Sequence, residues 1–251
     1  MNFGRIRMAN LAAVLWLGAL AGCATVPNPV ARDPLEGFNR RMFDLNDGLD
    51  QVILKPAATV YKALVPGFVR AGVGNFFGNL AEPWVAVNAA LQLKGVAAIE
   101  TVLRFATNTL FGLGGVLDIA SDMNLERRNE DFGQTLGYWG VPTGPYLVLP
   151  LLGSSTARDG LGLIPDYRAD PVQMQTNPST KDTLSVVRLL DFRASLLRAE
   201  DILGVAALDK YSFVRDVYLQ RRKSLVYDGN EPPEPPEPPE PAEAGPAATK
   251  P

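Results

Sequence analysis

Residues 82–111 read EPWVAVNAALQLKGVAAIETVLRFATNTLF and form the longest largely apolar region of the chain. After Glu82, the stretch contains only three charged side chains. Apolar residues in its second half recur in steps of three and four, which places them on one face of an α-helix: Val96, Ile99, Leu103, Ala106 and Leu110. The pair Lys94-Gly95 interrupts the region and predicts a break between two helices.

The helical period continues on both sides of this region. Residues 35–49 carry apolar side chains at five helically spaced positions: Leu35, Phe38, Met42, Leu45 and Leu49. Further helices are predicted near residues 56–64, 180–197 and 213–223, with Thr180 as an N-cap. These patterns together favour an all-α fold.

Other parts of the chain do not have a helical period. Strand-like alternation is limited to Tyr146–Leu149. Stretches rich in glycine or proline are expected to connect the helices: residues 67–78, 112–115 and 133–162. The last stretch is unusual because residues 138–152 are apolar and almost uncharged, whereas surface loops are generally polar. It is therefore expected either to lie in the core or to face an apolar surrounding.

The N-terminal residues predict export and lipid attachment. Arg5 and Arg7 precede an apolar run at residues 11–20, which is the pattern of a secretory signal and is shorter than the roughly 20 residues needed to span a bilayer. The run ends in LAGC, which resembles the bacterial lipoprotein signal. Residues 1–22 are therefore expected to be removed and Cys23 to be acylated. The alternative is a core cysteine that happens to follow a signal peptide.

The predicted mature chain begins with a tether at residues 23–32 and ends in a Glu-Pro-Pro repeat within residues 229–251. Proline fixes φ and the glutamates repel one another, so the tail is expected to be extended and disordered, as a spacer or a docking arm. Ala24 replaces the aspartate that marks retention in the inner membrane of enteric bacteria. The expected location is therefore the periplasmic face of the outer membrane.

Composition excludes several classes of function. The chain has no histidine and one cysteine, which rules out histidine-based triads, disulfides and most zinc or copper sites. No enzyme activity, cofactor or metal is expected, although a carboxylate-based or Ser-Lys enzyme stays open. The formal net charge is −3, and the acidic tail accounts for that excess. A nearly neutral body argues against nucleic-acid binding.

Several segments together resemble the VacJ/MlaA family of lipoproteins over about residues 33–225. They are DPLEGFNR at 33–40, RF at 104–105 with Asn108, GLGG at 112–115 with Asp118, EDFGQTLG at 130–137, WGV at 139–141, GPYLVLP at 144–150, RD at 158–159, Tyr211 with RD at 215–216, and YLQRR at 218–222. The run at 144–150 is long and specific.

The resemblance implies a helical domain over residues 33–228, built as a disc- or ring-like set of amphipathic helices that lie in the membrane interface around a central pore. It implies removal of mislocalised phospholipid from the outer leaflet and its transfer to a periplasmic lipid-carrier protein. It also implies association with a trimeric outer-membrane porin. Two alternatives are a structural or assembly lipoprotein that supports a porin without moving lipid, and a carboxylate-based envelope hydrolase.

Candidate residues for the lipid route follow from flexibility and charge. Gly112, Gly114 and Gly115 are expected either to let the backbone bend at the pore or simply to end a helix. Lys181 and Arg188 share a helical face and are candidates for attracting phosphate, or are solvated charges. Phospholipid passage makes and breaks no bond, so no catalytic residue is expected.

The apolar segment 138–152 is a candidate gate that borders the lipid route and shifts between flanking glycines. An ordinary buried loop would have the same composition. The candidate residues of this segment are Tyr138, Trp139, Gly144, Pro145, Tyr146 and Leu149. Two further groups are expected to be structural: Arg158-Asp159 as an ion pair or cap, and Asp118, Asp122 and Glu126 as solvated carboxylates rather than metal ligands.

Overall fold

The computed structural model describes residues 33–206 and 209–231, and describes only the backbone of 200–206. The helices are α1 Glu36–Leu49, α2 Lys55–Leu64, α3 Gly67–Leu91, α4 Gly95–Leu110, α5 Ile119–Asp122, α6 Phe132–Tyr138, α7 Ala157–Ala169, α8 Pro178–Ala206 and α9 Lys210–Val226. The prediction of an all-α fold is confirmed. The predicted signal peptide, the lipidated Cys23, the tether and most of the predicted tail lie outside the described residues.

The first three helices form a bent unit. A π-helical turn, Asp50–Leu54, joins α1 to α2, and α3 then turns away by 120° after Pro66. No single helix in the described part of the chain is both long enough and apolar enough to cross a membrane. The bent pair Glu36–Leu64 and Gly67–Leu91 meets that test only when both arms are taken together.

The predicted break at Lys94-Gly95 is confirmed. Helix α3 ends at Leu91, Leu93 adopts a positive φ of 59°, and α4 begins at Gly95. The two helices pack along each other and form the largest helix contact in the fold. Helix α8 packs against α2 and contacts α3.

The expected connection at residues 67–78 is instead the first half of α3, so that prediction is wrong. Its glycines lie where other groups approach the helix closely. A Cβ atom on Gly72 would lie 2.9 Å from Val116, and one on Gly78 would lie 3.1 Å from the guanidinium of Arg127. Glycine is kept here for helix packing, at a cost of roughly 0.5–1 kcal/mol in intrinsic helix stability.

Side-chain caps fix where several helices begin. Asp131 accepts the Gln134 N–H at 2.8 Å at the start of α6. Asn177 accepts the Thr180 N–H at 3.3 Å, so α8 begins one turn earlier than predicted and Thr180 is not its cap. Each cap satisfies an N–H that has no partner within the helix.

The predicted strand at Tyr146–Leu149 is confirmed as β1. It pairs antiparallel with β2, Gly153–Thr156, with Tyr146 opposite Thr156 and Leu149 opposite Gly153. Residues 133–162, expected to be a connection, therefore include this hairpin, most of α6 and the start of α7. Tyr146 and Val148 are buried in a small cluster with Tyr211 of α9.

Buried polar side chains are a main feature of the interior. The largest fully buried side chains include Arg104, Gln92, Gln134, Glu82, Asn39, Asn88 and Asn108. Buried charged groups are rare in proteins unless they are paired, so this interior must be held by hydrogen bonds and ion pairs as well as by apolar contact.

Candidate functional site

Helix α4 has its apolar face exposed and its polar face buried. Val96, Ile99 and Leu110, from the stripe seen in the sequence, are 72%, 64% and 75% exposed. The buried residues of the helix are small or polar: Ala97, Thr101, Arg104 and Asn108. A surface helix of a protein in water has the reverse distribution. The exposed face of α4 therefore suits an apolar surrounding.

Exposed apolar side chains continue around the helix ends. They include Leu64, Phe68, Leu93, Phe111 and Leu113. These residues lie at or beside the ends of α2, α3 and α4. Single exposed apolar residues are ordinary, but contiguous apolar patches mark contact with a partner or a membrane.

The polar face of α4 is held by an ion network around Arg104. Its Nε donates to Glu82 Oε1 at 3.2 Å and its Nη2 donates to Asp118 Oδ1 at 3.0 Å. Burial raises the pKa of Glu82. Burial also acts to raise the pKa of Asp118, but hydrogen bonds from Ser121 and Asn108 and the nearby arginines lower it to about 2. Since an unpaired buried charge is strongly destabilising, these groups stabilise the fold only as a set.

Gly112, Gly114 and Gly115 form the turn that ends α4. Gly114 and Gly115 have φ angles of 72° and 93°, a region that strongly favours glycine. A Cβ atom on Gly112 would lie 2.2 Å from the Leu117 carbonyl oxygen, and one on Gly115 would lie 2.5 Å from Asn79. The geometry is that of a closely packed helix-ending turn. A role of these glycines on a lipid route stays a prediction.

Tyr138 and Trp139 lie at the C-terminal end of α6, and both side chains are about half exposed. The Trp139 Nε1 donates to the carbonyl of Leu91 at 3.0 Å, and its ring meets the Phe132 ring edge-on. The pair therefore lies beside the end of α3, with part of its apolar surface free.

Gly144, Pro145 and Tyr146 lead into β1. Gly144 has a φ of 70°, and a Cβ atom there would lie 2.9 Å from the Cβ of Ala157. The Pro145 carbonyl accepts the Ala157 N–H at 3.1 Å, whereas the Tyr146 side chain is fully buried. The sequence candidates at 144–149 are thus neighbours in space, and Tyr138, Trp139, Lys181 and Arg188 lie on other elements.

Asn39 holds β1 against α1 and was missed in the sequence. Its Nδ2 donates to the Tyr146 carbonyl and its Oδ1 accepts the Val148 N–H, both at 2.9 Å. The side-chain amide therefore takes the place of a neighbouring strand. In the sequence it belonged to the segment DPLEGFNR and was a polar residue next to the apolar stripe of residues 35–49, and neither signal indicates a contact with β1.

Asn46 repeats this contact two turns further along α1. Its Nδ2 donates to the Leu149 carbonyl at 2.9 Å and its Oδ1 accepts the Leu151 N–H at 2.8 Å. The two asparagines are seven residues apart, so they lie on the same face of the helix. Together they pair the free edge of β1, which would otherwise have unpaired backbone groups.

Lys181 and Arg188 lie on α8, as predicted. The Lys181 Nζ is 5.9 Å from the ring centroid of Tyr167. The Arg188 Nη2 is 2.7 Å from Asp170 Oδ2, and its guanidinium lies 5.9 Å from the centroid of the Phe77 ring. Arg188 also lines a cavity between α8 and α3.

The prediction that Arg158-Asp159 is an ion pair is confirmed. Arg158 Nη2 lies 2.9 Å from Asp159 Oδ1. The Asp159 N–H donates to Thr156 Oγ1, so Thr156 is the N-cap of α7. Arg222 of α9 also binds Asp159 at 2.9 Å. Burial acts to raise the pKa of Asp159, but Arg222 and Arg158 lower it overall. The pair joins α7 to α9.

The carboxylates near α5 are held by protein groups. Asp118 binds Arg104 and caps α5, and Glu126 Oε2 lies 3.3 Å from Arg128. Within residues 33–206 and 209–231, there is no group of three or more histidine, cysteine, aspartate or glutamate side chains that could hold a metal ion.

Known proteins resemble this chain over most of its length. The family model for MlaA lipoproteins matches residues 31–225. The "Intermembrane phospholipid transport system lipoprotein MlaA" of Escherichia coli K12 is 37% identical over 237 residues, covering 91% of this chain and 92% of the relative. The Haemophilus influenzae protein of the same description is 34% identical and covers 87% and 90%. An uncharacterised Rickettsia bellii protein is 36% identical over 195 residues, covering 77% and 76%.

The structure also matches a solved one. A chain described under "Structural basis for maintenance of bacterial outer membrane lipid asymmetry" superposes with a TM-score of 0.68 at 39% sequence identity. The match covers 77% of this chain and 98% of that chain. Sequence and structure agree over the same helical body, so this chain belongs to the MlaA lipoprotein family.

Proposed function

We propose that this chain is an outer-membrane lipoprotein that removes mislocalised phospholipid from the outer leaflet and passes it to a periplasmic carrier, and so maintains lipid asymmetry. Two relatives are described as phospholipid transport lipoproteins, which supports the proposal. The exposed apolar face of α4 is the observation that carries it. Each Val, Leu or Ile moved from water into an apolar surrounding gains roughly 1.5–3 kcal/mol. Such a face is stabilised in a membrane leaflet.

We place the protein at the periplasmic side of the outer membrane, held there by the acylated Cys23. Helices with one apolar face lie in the membrane interface, with the polar groups of α4 directed inward. Helical backbone satisfies its own hydrogen bonds, which contact with lipid requires. In this arrangement the helices surround a central polar route for lipid. The protein acts by binding and guiding lipid, without catalysis.

We assign two protein partners on the strength of the family resemblance: a trimeric porin beside the helices in the membrane, and a soluble lipid carrier on the periplasmic side. The competing hypothesis is that the chain only supports the assembly of a porin and moves no lipid. The two differ in whether phospholipid is bound and moved.

The position in the membrane is tested with an environment-sensitive fluorophore. Acylated Cys23 offers no free thiol, so Ile99→Cys supplies a single labelling site on the exposed face of α4. A matched site is Glu126→Cys, where the native side chain is 73% exposed and charged. In outer-membrane vesicles the label at position 99 should report an apolar surrounding and the label at position 126 an aqueous one. Equal, water-like spectra at both positions would contradict the proposal.

Transport is tested in cells and with purified protein. Cells that lack the chain should accumulate phospholipid in the outer leaflet, measured with a probe that reaches only that leaflet. The lipidated protein purified in mild detergent should carry phospholipid, identified by mass spectrometry. If the porin is lost from its complexes while outer-leaflet phospholipid stays normal, the assembly role is correct and the transport role is wrong.

We further propose that residues 138–152 border the lipid route and move as a unit. Positive φ angles at Gly140 and Gly153, near its two ends, support backbone hinges there. The test joins Asn46→Cys to Leu151→Cys with a short bifunctional reagent, since these residues share a hydrogen bond of 2.8 Å. Restraint should raise outer-leaflet phospholipid while porin binding persists, relative to the same variant without reagent. Normal clearance after crosslinking would mean that the segment is static.

A further inference from the structure

Two cavities adjoin along α3 and share the lining residues Ala71, Asn75 and Phe77. One has a volume of about 640 Å³ and extends towards Phe68 and Val187, with an almost entirely apolar lining. The other, of about 480 Å³, lies between α3 and α8 and has charged walls. Both volumes fall within the roughly 300–1,000 Å³ typical of ligand sites. An apolar cavity next to a charged one matches an amphiphilic ligand, which has an apolar chain and a charged headgroup.

The charged cavity exists because one face of α3 lacks side chains. Gly74 and Gly78 follow Arg70 at steps of four, so the three positions lie one above another, roughly 6 Å apart along the axis. A Cβ atom on Gly74 would lie 3.4 Å from Asp191 Oδ2, and one on Gly78 would lie 3.1 Å from the Arg127 guanidinium. The charged groups along this face are therefore, in order, Arg70, Asp191 and Arg127.

The two arginines have unused donors. Arg70 Nε donates to the Val65 carbonyl at 3.1 Å, and within residues 33–206 and 209–231 Arg70 has no ion pair. Arg127 lies 3.4 Å from Asp118 Oδ2 and 4.0 Å from Glu82 Oε1, both loose contacts. A guanidinium has five N–H donors in a planar fork that matches phosphate. Most of these donors are available to a ligand.

Asp191 is the acidic group between them. Its Oδ1 accepts the Tyr61 hydroxyl at 2.9 Å, and burial together with this bond raises the pKa of Tyr61 to about 12. In the part of the chain that the structure describes, Asp191 pairs with no cation, since the nearby Arg188 binds Asp170. Its Oδ2 faces the surface of Gly74, and the residue lines the charged cavity.

We infer that these cavities hold one phospholipid whose headgroup carries both a phosphate and a primary ammonium. The phosphate contacts Arg70, the ammonium contacts Asp191, and acyl carbon fills the apolar cavity beside Phe68. A purely anionic headgroup would leave Asp191 without a cation and bring its negative charge close to the carboxylate. This inference rests on the proposed function and adds a headgroup preference to it.

The test uses the full lipidated chain in mild detergent, stripped of lipid and mixed with micelles that contain equal amounts of phosphatidylethanolamine and phosphatidylglycerol. Native mass spectrometry measures the bound lipids. Arg70→Gln should weaken the binding of both lipids about tenfold, the effect of losing a charge-assisted hydrogen bond. Asp191→Asn should retain phosphatidylglycerol and lower the ratio of phosphatidylethanolamine to phosphatidylglycerol about tenfold.

Matched controls come from the same chain. Arg41→Gln on α1 and Asp182→Asn on α8 change exposed residues that line neither cavity, and both should bind lipid as the unmodified protein does. Arg70→Lys keeps the charge and should retain most of the binding. Circular dichroism checks that each variant is folded. If Arg70→Gln unfolds, the lipid ratio of Asp191→Asn decides the inference.

The outcomes separate the two proposals. If the unmodified protein binds neither lipid, the proposed function fails. If it binds lipid and the variants at positions 70 and 191 behave like the controls, the proposed function stands and this site is wrong. If only the ratio in Asp191→Asn is unchanged, the headgroup preference is wrong.

Discussion

Replacing Asn39 with alanine should release β1 from α1. Asn39 is fully buried and its amide makes three hydrogen bonds: to Asp33 Oδ1 at 2.8 Å, to the Tyr146 carbonyl and from the Val148 N–H. Each bond contributes about 0.5–1.5 kcal/mol net, and each buried group left unpaired costs about 1–3 kcal/mol. The expected loss is about 4 kcal/mol of unfolding free energy, a large part of the roughly 5–15 kcal/mol of a typical domain.

The measurement is thermal unfolding in mild detergent, followed by circular dichroism. At roughly 2–4 °C per kcal/mol for a chain of this size, Tm should fall by roughly 8–16 °C. Amide exchange at Val148 should become faster, because its N–H loses its acceptor. The control is Asn46→Ala on the same face of α1, which removes two hydrogen bonds at a less buried position and should cost about 1–2 kcal/mol.

Two results would refute this reasoning. One is a fall in Tm no larger than that of the Asn46→Ala control. The other is unchanged exchange at Val148 despite a lower Tm, which would mean that pairing with β2 alone holds the strand. In either case the asparagine amide would not act as the missing neighbour of β1.

Three further perturbations concern the anchor, the tail and the buried ion network. Cys23→Ala should block acylation and leave the precursor uncleaved, and an unmodified thiol on the mature wild-type N-terminus by mass spectrometry would contradict this. Deleting residues 231–251 should leave membrane association and outer-leaflet phospholipid unchanged, whereas detergent-sensitive cells with normal protein levels would make the tail a docking element. The pKa of Asp118 is lowered to about 2, so its stabilisation of roughly 2 kcal/mol should be present above about pH 4 and lost as pH falls through 2. Asp118→Asn should flatten this dependence in acid unfolding curves, and an unchanged slope would mean that other carboxylates cause it.

Local patterns predicted much of the helical structure. The period of residues 82–111, the break at Lys94-Gly95 and the strand Tyr146–Leu149 each depend on spacing within a few residues, and the structure has all three. Residues 67–78 were assigned wrongly because glycine is a weak helix former on its own. Only the approach of Val116, Asp191 and Arg127 to the helix explains why glycine is kept there.

The candidate site was predicted less completely. The sequence singled out the residues of β1 and one arginine of the charged cavity, Arg188. It did not indicate that Asn39 and Asn46 pair the edge of β1, or that Arg70, Arg127 and Asp191 meet over one face of α3. Each of these groupings joins residues that lie far apart in the chain, and a periodic pattern carries no information about such partners.

By itself the sequence determined the helical class and the family, and it predicts an export and lipidation signal. Those properties follow from short-range periodicity and contiguous motifs, which are present before the chain folds. Only the tertiary structure decided which face of each helix is buried. In α4 the apolar stripe was visible in the sequence, yet the buried side is the polar one, because Glu82 and Asp118 from other segments pair with Arg104 in the interior. Burial of a charge depends on a partner supplied by distant parts of the chain, and that partner exists only in the folded protein.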